Sequence, residues 1–444
     1  NVITPEFKKA GDALILVKTP KDEKEIPDFD RLKGLYGAVF TLTSGKKVLS
    51  AYALGAKGVV EAAAKMGFGN CLGAALRGLS RDELLLPQYG GLLLEVSKED
   101  CESVLSLLSG FAETRFVGEV TAEPVVLADG NATPLADLKA AYDGTLSRVF
   151  PTKAKSKDAS APSVLYDAKR IFTAKEKVAR PTVFVPVFPG TNCEYDVAAA
   201  FKRAGADVVS EVFANLNESM IKDSVERFVK AIEASQMIMF PGGFSAGDEP
   251  DGSGKFIANV FRNSRISDAV NDLLKKRDGL VLGICNGFQA VIKLGLVPYG
   301  EICPQKEDSP TLATNAIGRH MSKSVYTKLV SNNSPWLQGI ELGSVRAIPA
   351  SHGEGRFVAT NEWLEKLKAN GQIATQYVDP LGNPSMDEAF NPNGSYWAIE
   401  GIISPDGRVL GKMAHSERIG EDVAVNIYGD QDQKIFESGV KYFL

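Results

Sequence analysis

The stretch Leu280-Val-Leu-Gly-Ile-Cys-Asn-Gly-Phe-Gln289 joins an uncharged apolar run to a cysteine that has a glycine two residues before it and another two residues after it. This pattern predicts a buried strand, a sharp turn and a helix, the nucleophile-elbow arrangement with sulfur in place of the serine hydroxyl. The glycines let the strand and helix backbones crowd the turn without a Cβ clash. The Cys285 thiol would project above the sheet at a helix N-terminus, where the partial positive charge favours a thiolate.

The five cysteines and three histidines of the chain limit which residues could assist Cys285. By itself the motif also fits a buried structural cysteine, because free cysteine is among the most buried residue types. The cysteines are scattered, odd in number and form no Cys-x-x-Cys pair, which argues against a disulfide framework or a zinc site. We therefore predict no metal and a reducing, cytoplasmic setting.

The amino-acid composition is typical of an ordinary globular protein. The 444 residues are 44% hydrophobic and 24% charged, which is enough for more than one packed core. The net charge of −5 gives no electrostatic reason to expect nucleic acid or an anionic membrane as a partner. No apolar run reaches membrane-spanning length and no signal peptide is recognisable, so we expect a soluble protein. Residues 2–10 resemble the interior of a domain, which favours a fragment or a processed product.

The sequence divides into two globular regions that are separated by a segment of different composition. Residues 1–150 combine apolar strands, at 12–17 and 91–96, with helically spaced apolar residues, and this predicts an α+β domain. Residues 151–180 are small, polar and basic, and we predict a linker or a surface-wrapping segment. Residues 181–444 form the second region.

Strands and helices alternate in the second region. Apolar strands are predicted at 182–188, 237–240 and 280–284, and a helix follows the first strand from Glu194 to Ala204. This order predicts an α/β fold with a doubly wound, mostly parallel sheet, whose active loops lie at the carboxyl ends of the strands. All three strands end in glycine-containing loops, and their convergence favours a catalytic role for Cys285.

His415 is the best-placed candidate base for Cys285. It follows an apolar strand, and Glu417 comes two residues later, so both side chains point to one side of an extended chain. Glu417 could accept from one imidazole nitrogen while the other nitrogen faces the thiol. A surface histidine beside a solvated charge is the alternative. His352 lies in a glycine-flanked loop without so plain an acceptor, and His320 is predicted to be structural or at the surface.

The loop Gly242-Gly243-Phe244-Ser245 offers backbone N–H groups to a developing negative charge. The N–H of Asn286, directly after the nucleophile, is the natural second donor. An ordinary strand-to-helix turn is the alternative for the glycine loop.

Several motifs together resemble the class I glutamine amidotransferases. These are Gly283 to Gln289, Pro241 to Asp248 and His415-Ser-Glu417. Three more motifs are similar to the glutaminases of the phosphoribosylformylglycinamidine synthase family, of the large single-chain type: Phe188 to Asp196, Ser351 to Phe357 and Phe390 to Ser395. More loosely, residues 1–150 resemble the C-terminal half of aminoimidazole ribonucleotide synthetase, through Gly58 to Gly69.

The resemblance implies a flavodoxin-like glutaminase domain over residues 181–444. In that domain Cys285 would be the nucleophile, His415 the base and acid, and Glu417 the residue that orients it. Ser416 stands in place of the usual proline between them, which should loosen the backbone slightly.

The same resemblance implies an oxyanion hole and a substrate pocket. The N–H of Gly243 or of Phe244 would act with that of Asn286. Gln289 and the Asn192–Cys193 loop would help to shape a pocket for glutamine.

In this family, glutamine is hydrolysed through a cysteine thioester. The ammonia serves the ATP-dependent conversion of formylglycinamide ribonucleotide to formylglycinamidine ribonucleotide in de novo purine biosynthesis. Residues 1–150 carry no recognisable phosphate loop or acidic metal cluster. The resemblance therefore implies that ATP and Mg²⁺ belong to upstream synthetase domains of the parent enzyme, with no cofactor in this chain.

Two other functions stay open from sequence. The elbow also suits a different cysteine hydrolase of the same fold, such as a peptidase. The chain could also be a structural or docking module that is inactive without the upstream domains.

Overall fold

The computed structural model describes residues 3–151, 154, 160–247 and 253–444. These residues form two compact units, Asn1–Thr152 and Lys153–Leu444. The division at 1–150, 151–180 and 181–444 that composition suggests stays a prediction. In the described part of the chain, no helix is both long and apolar enough to cross a membrane.

The first unit is built on a seven-stranded sheet with the order β2-β4-β1-β5-β3-β6-β7. Its neighbouring strands pair antiparallel except β3 and β6, which pair parallel. The strands are β1 Ala13–Val17, β2 Val48–Ala53, β3 Gly73–Leu76, β4 Leu92–Val96, β5 Thr114–Thr121, β6 Val125–Ala128 and β7 Asn131–Pro134. The helices are α1 Phe29–Ser44, α2 Gly58–Phe68, α3 Arg81–Leu85, α4 Cys101–Leu108 and α5 Leu135–Gly144.

Both faces of this first sheet are covered, which explains the continuous apolar run of β1. Leu14 and Leu16 pack in one core with the apolar face of α2. Ile15 and Val17, which alternate with them, pack in a second core with residues of α1 and α4. The predicted α+β character of this region is confirmed.

Residues 160–180, which the sequence predicts as linker or surface-wrapping segment, lie along the second unit. The N–H of Tyr166 donates to Val330 O at 2.8 Å, and that of Val178 donates to Phe443 O at 2.9 Å. The part of the predicted linker at 152–153 and 155–159 lies outside the described residues.

The second unit is built on a nine-stranded sheet with the order β14-β13-β16-β17-β18-β11-β10-β8-β9. The strands are β8 Thr182–Val187, β9 Asp207–Val212, β10 Met237–Phe240, β11 Leu280–Ile284, β12 Thr311–Thr314, β13 Met321–Leu329, β14 Val345–His352, β15 Glu354–Val358, β16 Ile373–Val378, β17 Ile399–Ile403 and β18 Val409–Lys412. The helices are α6 Glu194–Arg203, α7 Glu218–Ala234, α8 Lys255–Phe261, α9 Ser264–Lys275, α10 Asn286–Lys293, α11 Leu296–Tyr299, α12 Asn361–Ala369 and α13 Ile435–Lys441.

Half of this sheet is parallel and has the flavodoxin-like strand order. Strands β9, β8, β10, β11 and β18 lie side by side and all pair parallel. Counted along the parallel strands only, this is the order 2-1-3-4-5, whose loops at the carboxyl edge form ligand sites. The predicted α/β, doubly wound, flavodoxin-like fold is confirmed.

The other half of the sheet is antiparallel, a feature that the sequence analysis did not include. Strands β17, β16, β13 and β14 continue the sheet from β18, and each pairs antiparallel with its neighbour. The chain enters this extension after β11 and returns to the parallel half at β18. A separate two-stranded ribbon, β12 with β15, lies between these points in the chain.

Because α10 approaches β10 closely, we predict that a side chain at position 287 destabilises the second unit. A Cβ at Gly287 would lie 2.0 Å from Phe240 O, a backbone atom that cannot turn away. We expect Gly287→Ala to lower the free energy of unfolding of this unit by about 1–3 kcal/mol. Urea unfolding followed by tryptophan fluorescence measures this loss, because Trp336, Trp363 and Trp397 all lie in the second unit.

Gly420→Ala is the matched control. Gly420 is exposed, and its nearest potential contact, Val423 Cγ2, is 3.4 Å away. It should unfold as the parent does, and equal stability of the two variants would contradict the packing argument.

Candidate active site

Cys285 occupies the predicted strand-turn-helix elbow. It lies between β11 and α10 with φ 54° and ψ −107°, a strained backbone conformation for a residue with a side chain. Its N–H donates to Lys412 O at 2.9 Å, and its carbonyl accepts from Gln289 N at 3.0 Å, so the turn is held from both sides. The thiol is 6% exposed and lies 3.5 Å from Ser351 O.

His415 and Glu417 form the predicted base–orienter pair. Glu417 Oε1 lies 2.6 Å from His415 Nδ1, and both side chains are buried. His415 Nε2 is also buried and has no hydrogen-bond partner among the described residues. The carboxylate therefore fixes one nitrogen and leaves the other for the reacting groups.

Neighbouring charges keep His415 cationic. Burial acts to lower the pKa of His415, but the negative charges of Glu417 and Cys285 and the contacts of the ring with Cys193 and Cys285 outweigh burial and raise this pKa well above its ordinary value. Burial acts to raise the pKa of Glu417, and the facing imidazolium lowers it below its usual range. The arrangement stabilises a buried imidazolium beside the Glu417 carboxylate.

A buried polar network holds the His-Ser-Glu segment in place. Lys412 Nζ lies 3.3 Å from Glu400 Oε1, and it donates to Ser416 Oγ at 2.9 Å. Glu400 Oε1 in turn accepts from Ala414 N at 2.7 Å. Because Ser416 also donates to Gln433, its hydroxyl ties the segment through contacts that proline does not make.

The two predicted oxyanion donors of the glycine loop differ in availability. The N–H of Phe244 donates to Gly190 O at 2.8 Å and is therefore committed, although Phe244 itself lines the cavity. Of the two predicted alternatives, Gly243 is left as the donor. Asn286 is the first residue of α10, where N–H groups lack acceptors within the helix.

A cavity of about 40 Å³ opens beside Cys285. The lining residues are Asn192, Gly243, Phe244, Ser253, Cys285, Gln289, Ser351, His352, Gly353, Glu354, His415 and Arg418. Asn286 lies beneath this lining, where its side chain donates to Gln289 Oε1 at 2.8 Å and accepts from Ser245 N at 3.3 Å. Glu417 lies behind His415. The structure thus brings all the predicted site residues together.

His352 belongs to the cavity, although the sequence analysis left it out of the predicted site. Burial, and then the positive charges of His415 and His320, lower its pKa to about 3, so the ring is neutral. Its Nε2 accepts from Asn393 Nδ2 at 3.0 Å, which assigns the proton to Nδ1. Nδ1 is buried without a partner among the described residues, so it offers a donor to a bound ligand. His320, by contrast, is exposed.

Glu354 is a second site residue that the sequence analysis did not select. Its carboxylate lies 3.3 Å from Lys293 Nζ and accepts from Ser253 N at 3.1 Å, and its carbonyl accepts from the Gln289 amide. The motif Ser351-His-Gly-Glu354 was the signal available in sequence. The motif leads from the end of β14 to the start of β15, and its place depends on strand pairing, which local pattern does not reveal.

Comparison with known proteins agrees with this architecture. Residues 180–443 match the family described as the CobB/CobQ-like glutamine amidotransferase domain. Two similar relatives are proteins of Methanococcus maripaludis described as phosphoribosylformylglycinamidine synthase subunit PurQ. That of strain S2 is 36% identical over 244 residues, 54% of this chain and 82% of the relative. That of strain C7 is 36% identical over 246 residues, with the same coverage of each chain.

A solved structure described as PurLQS from Thermotoga maritima is 26% identical, with a TM-score of 0.43. The match covers 60% of this chain and 100% of that chain. The family match and the PurQ relatives define a glutamine amidotransferase. The chain belongs to the family of phosphoribosylformylglycinamidine synthase glutaminases.

The charge of Glu417 predicts how His415 titrates. Glu417→Gln removes an anion that raises the pKa of His415, so the variant should lose its imidazolium at lower pH than the parent. The three histidines, labelled with ¹³C at Cε1 and assigned by single His→Gln variants, make this midpoint measurable by NMR. His352 should stay neutral from pH 5 to pH 9, since its pKa is about 3.

Glu421→Gln, which removes a charge from the exposed surface four residues away, should leave the His415 midpoint where it is. If both variants leave it unchanged, Glu417 is not the group that keeps His415 charged.

Proposed function

We propose that this chain hydrolyses glutamine at Cys285 and is the glutaminase part of a phosphoribosylformylglycinamidine synthase in purine biosynthesis. The observation that carries the proposal is the buried Cys285–His415–Glu417 arrangement at the edge of a cavity. Membership in the family supports glutamine as the substrate.

The first half-reaction forms a thioester. The Cys285 thiolate attacks the side-chain amide carbon of glutamine, and negative charge develops on the amide oxygen. The N–H groups of Gly243 and Asn286 are the donors available to that charge. The cationic His415 gives its proton to the departing nitrogen, so ammonia leaves and a γ-glutamyl thioester remains on Cys285.

The second half-reaction releases glutamate. His415, now neutral, takes a proton from water as that water attacks the thioester carbon. The collapse of the intermediate breaks the carbon–sulfur bond and restores the thiolate–imidazolium pair. Glu417 stays ionised throughout and stabilises the imidazolium in both halves of the cycle.

ATP and Mg²⁺ are proposed to act in the synthetase domains, where ammonia is consumed. Within the described residues, three metal-ligating side chains come together at Cys193, His415 and Glu417. Mg²⁺ takes oxygen ligands, so this thiol–imidazole set does not suit it. The synthetase domains are therefore the proposed partners, and the scattered cysteines of the sequence support a cytoplasmic setting.

Loss of the thiol should abolish hydrolysis. Cys285→Ala removes the atom that forms the thioester, so glutamate release should fall to the uncatalysed background. A coupled glutamate assay on the full chain measures this, with synthetase domains added in a parallel series. Labelling of the intact protein by a diazoketone analogue of glutamine, followed by mass spectrometry, reports on Cys285 even where turnover is slow.

Cys303→Ala is the matched control, because that cysteine is free and lies outside the cavity lining. It should retain parental turnover and label at Cys285. Substantial turnover by Cys285→Ala would overturn the assignment. Labelling in the parent without turnover, even with synthetase domains present, would favour a docking role.

A further inference from the structure

A second buried thiol lies at the catalytic histidine and has no role in the proposed hydrolysis. Cys193 is 1% exposed and directly precedes α6. Its Sγ lies 4.0 Å from His415 Nδ1, on the side of the ring that Glu417 holds. Cys193 therefore contacts the proposed catalytic base in addition to occupying a buried position.

Cys193 and Cys285 both lie next to Gly242. A Cβ at Gly242 would lie 3.1 Å from Cys193 Sγ, 3.5 Å from Cys285 Cβ and 2.7 Å from His415 Cε1. The backbone is tied at the same place, since the N–H of Cys193 donates to Gly242 O at 3.3 Å. Residue 242 has no side chain to fill this position, which His415 Cε1 also faces.

Two positively charged side chains lie next to the sulfur of Cys193. Arg418 Nη2 donates to Cys193 Sγ at 3.1 Å, and the cationic His415 lies on the other side. Both Cys193 and Cys285 also precede the N-terminus of a helix, α6 and α10 respectively. A thiolate is the form that attacks oxidised sulfur.

We propose that Cys193 is a resolving cysteine, which forms a reversible disulfide with Cys285 when the site meets hydrogen peroxide. The proposal rests on the proposed function in that Cys285 is the cavity-facing nucleophile. The disulfide would close the active site to glutamine, because Cys285 then has no free thiolate. It would also protect Cys285 from irreversible oxidation to sulfinic acid.

The chemistry balances in two steps. The Cys285 thiolate attacks one oxygen of hydrogen peroxide; the O–O bond breaks, hydroxide leaves and Cys285 becomes a sulfenic acid. The Cys193 thiolate then attacks the Cys285 sulfur, so that the S–S bond forms as the S–O bond breaks. The departing hydroxide takes a proton from the His415 imidazolium and leaves as water. The two thiols are oxidised by two electrons, and the peroxide is reduced.

Closure needs a movement of the two loops and of the His415 ring, whose Cε1 faces the same position next to Gly242. A disulfide requires the sulfur atoms to lie about 2.05 Å apart. Cys285 must turn its side chain towards Gly242, and the segment that carries Cys193 must follow. Dithiothreitol would reverse the linkage by thiol–disulfide exchange.

The test uses the full chain treated with hydrogen peroxide, with free thiols then blocked and peptides mapped by mass spectrometry. The expected result is a cross-linked peptide pair containing Cys193 and Cys285, which disappears after dithiothreitol. Glutaminase rate, relative to each variant's own untreated rate, should return in the parent after dithiothreitol. In Cys193→Ser the recovery should be several-fold lower, with Cys285 found as sulfinic acid.

Cys71→Ser is the matched control, since Cys71 is exposed and lies in the first unit. It should behave as the parent. Absence of the cross-linked peptide in the parent, or equal recovery in the parent and Cys193→Ser, would overturn the proposal. The peptide readout is independent of turnover. A cross-link in a chain that lacks glutaminase activity even with synthetase domains present would overturn the proposed function and leave the disulfide supported.

Discussion

The site depends on how closely the α10 backbone approaches the strands beneath it. A Cβ at Gly287 would lie 2.0 Å from Phe240 O, and one at Gly283 would lie 2.7 Å from Gly287 O. This contact leaves Cys285 in a backbone conformation that few side chains adopt. The strain is tolerated because β11 is fully buried and paired on both sides, so the turn cannot relax without breaking the centre of the sheet.

The parallel half of the sheet carries the proposed catalytic residues, and the antiparallel half contributes to the other wall of the cavity. Strands β8, β10, β11 and β18 end next to one another, and the loops after them carry Asn192, Gly243, Cys285 and His415. The other wall of the cavity comes from residues 351–354, which lead from the end of the edge strand β14 into the first residue of β15. Because β14 reaches the site through a chain of antiparallel pairings, this wall is placed by strand register rather than by a crossover helix.

The parts of the site that sequence predicts are those that local pattern determines. The elbow at Cys285 follows from two glycines. The His415–Glu417 pair is predicted from a spacing of two in extended chain, and the structure pairs the two residues through a turn at 416–417 instead. By contrast, the pocket role of His352 depends on the pairing of β13 with β14 and on an amide contact from Asn393, far away in sequence. The hydrogen bond from the Phe244 N–H to Gly190 O is likewise a contact between loops. Neither leaves a periodic signal in the chain.

The ion pair of Lys412 and Glu400 links the position of His415, the proposed catalytic base, to the stability of the whole unit. Both side chains are almost fully buried, and each also contacts the segment that carries His415. Removing one partner of such a pair generally costs about 3–5 kcal/mol, because the other charge is left buried alone. His415 therefore cannot become mobile while the sheet stays intact. Turnover should be lost when this unit unfolds and not before. Substitution of Lys412 or Glu400 is therefore restrained by folding as strictly as by catalysis.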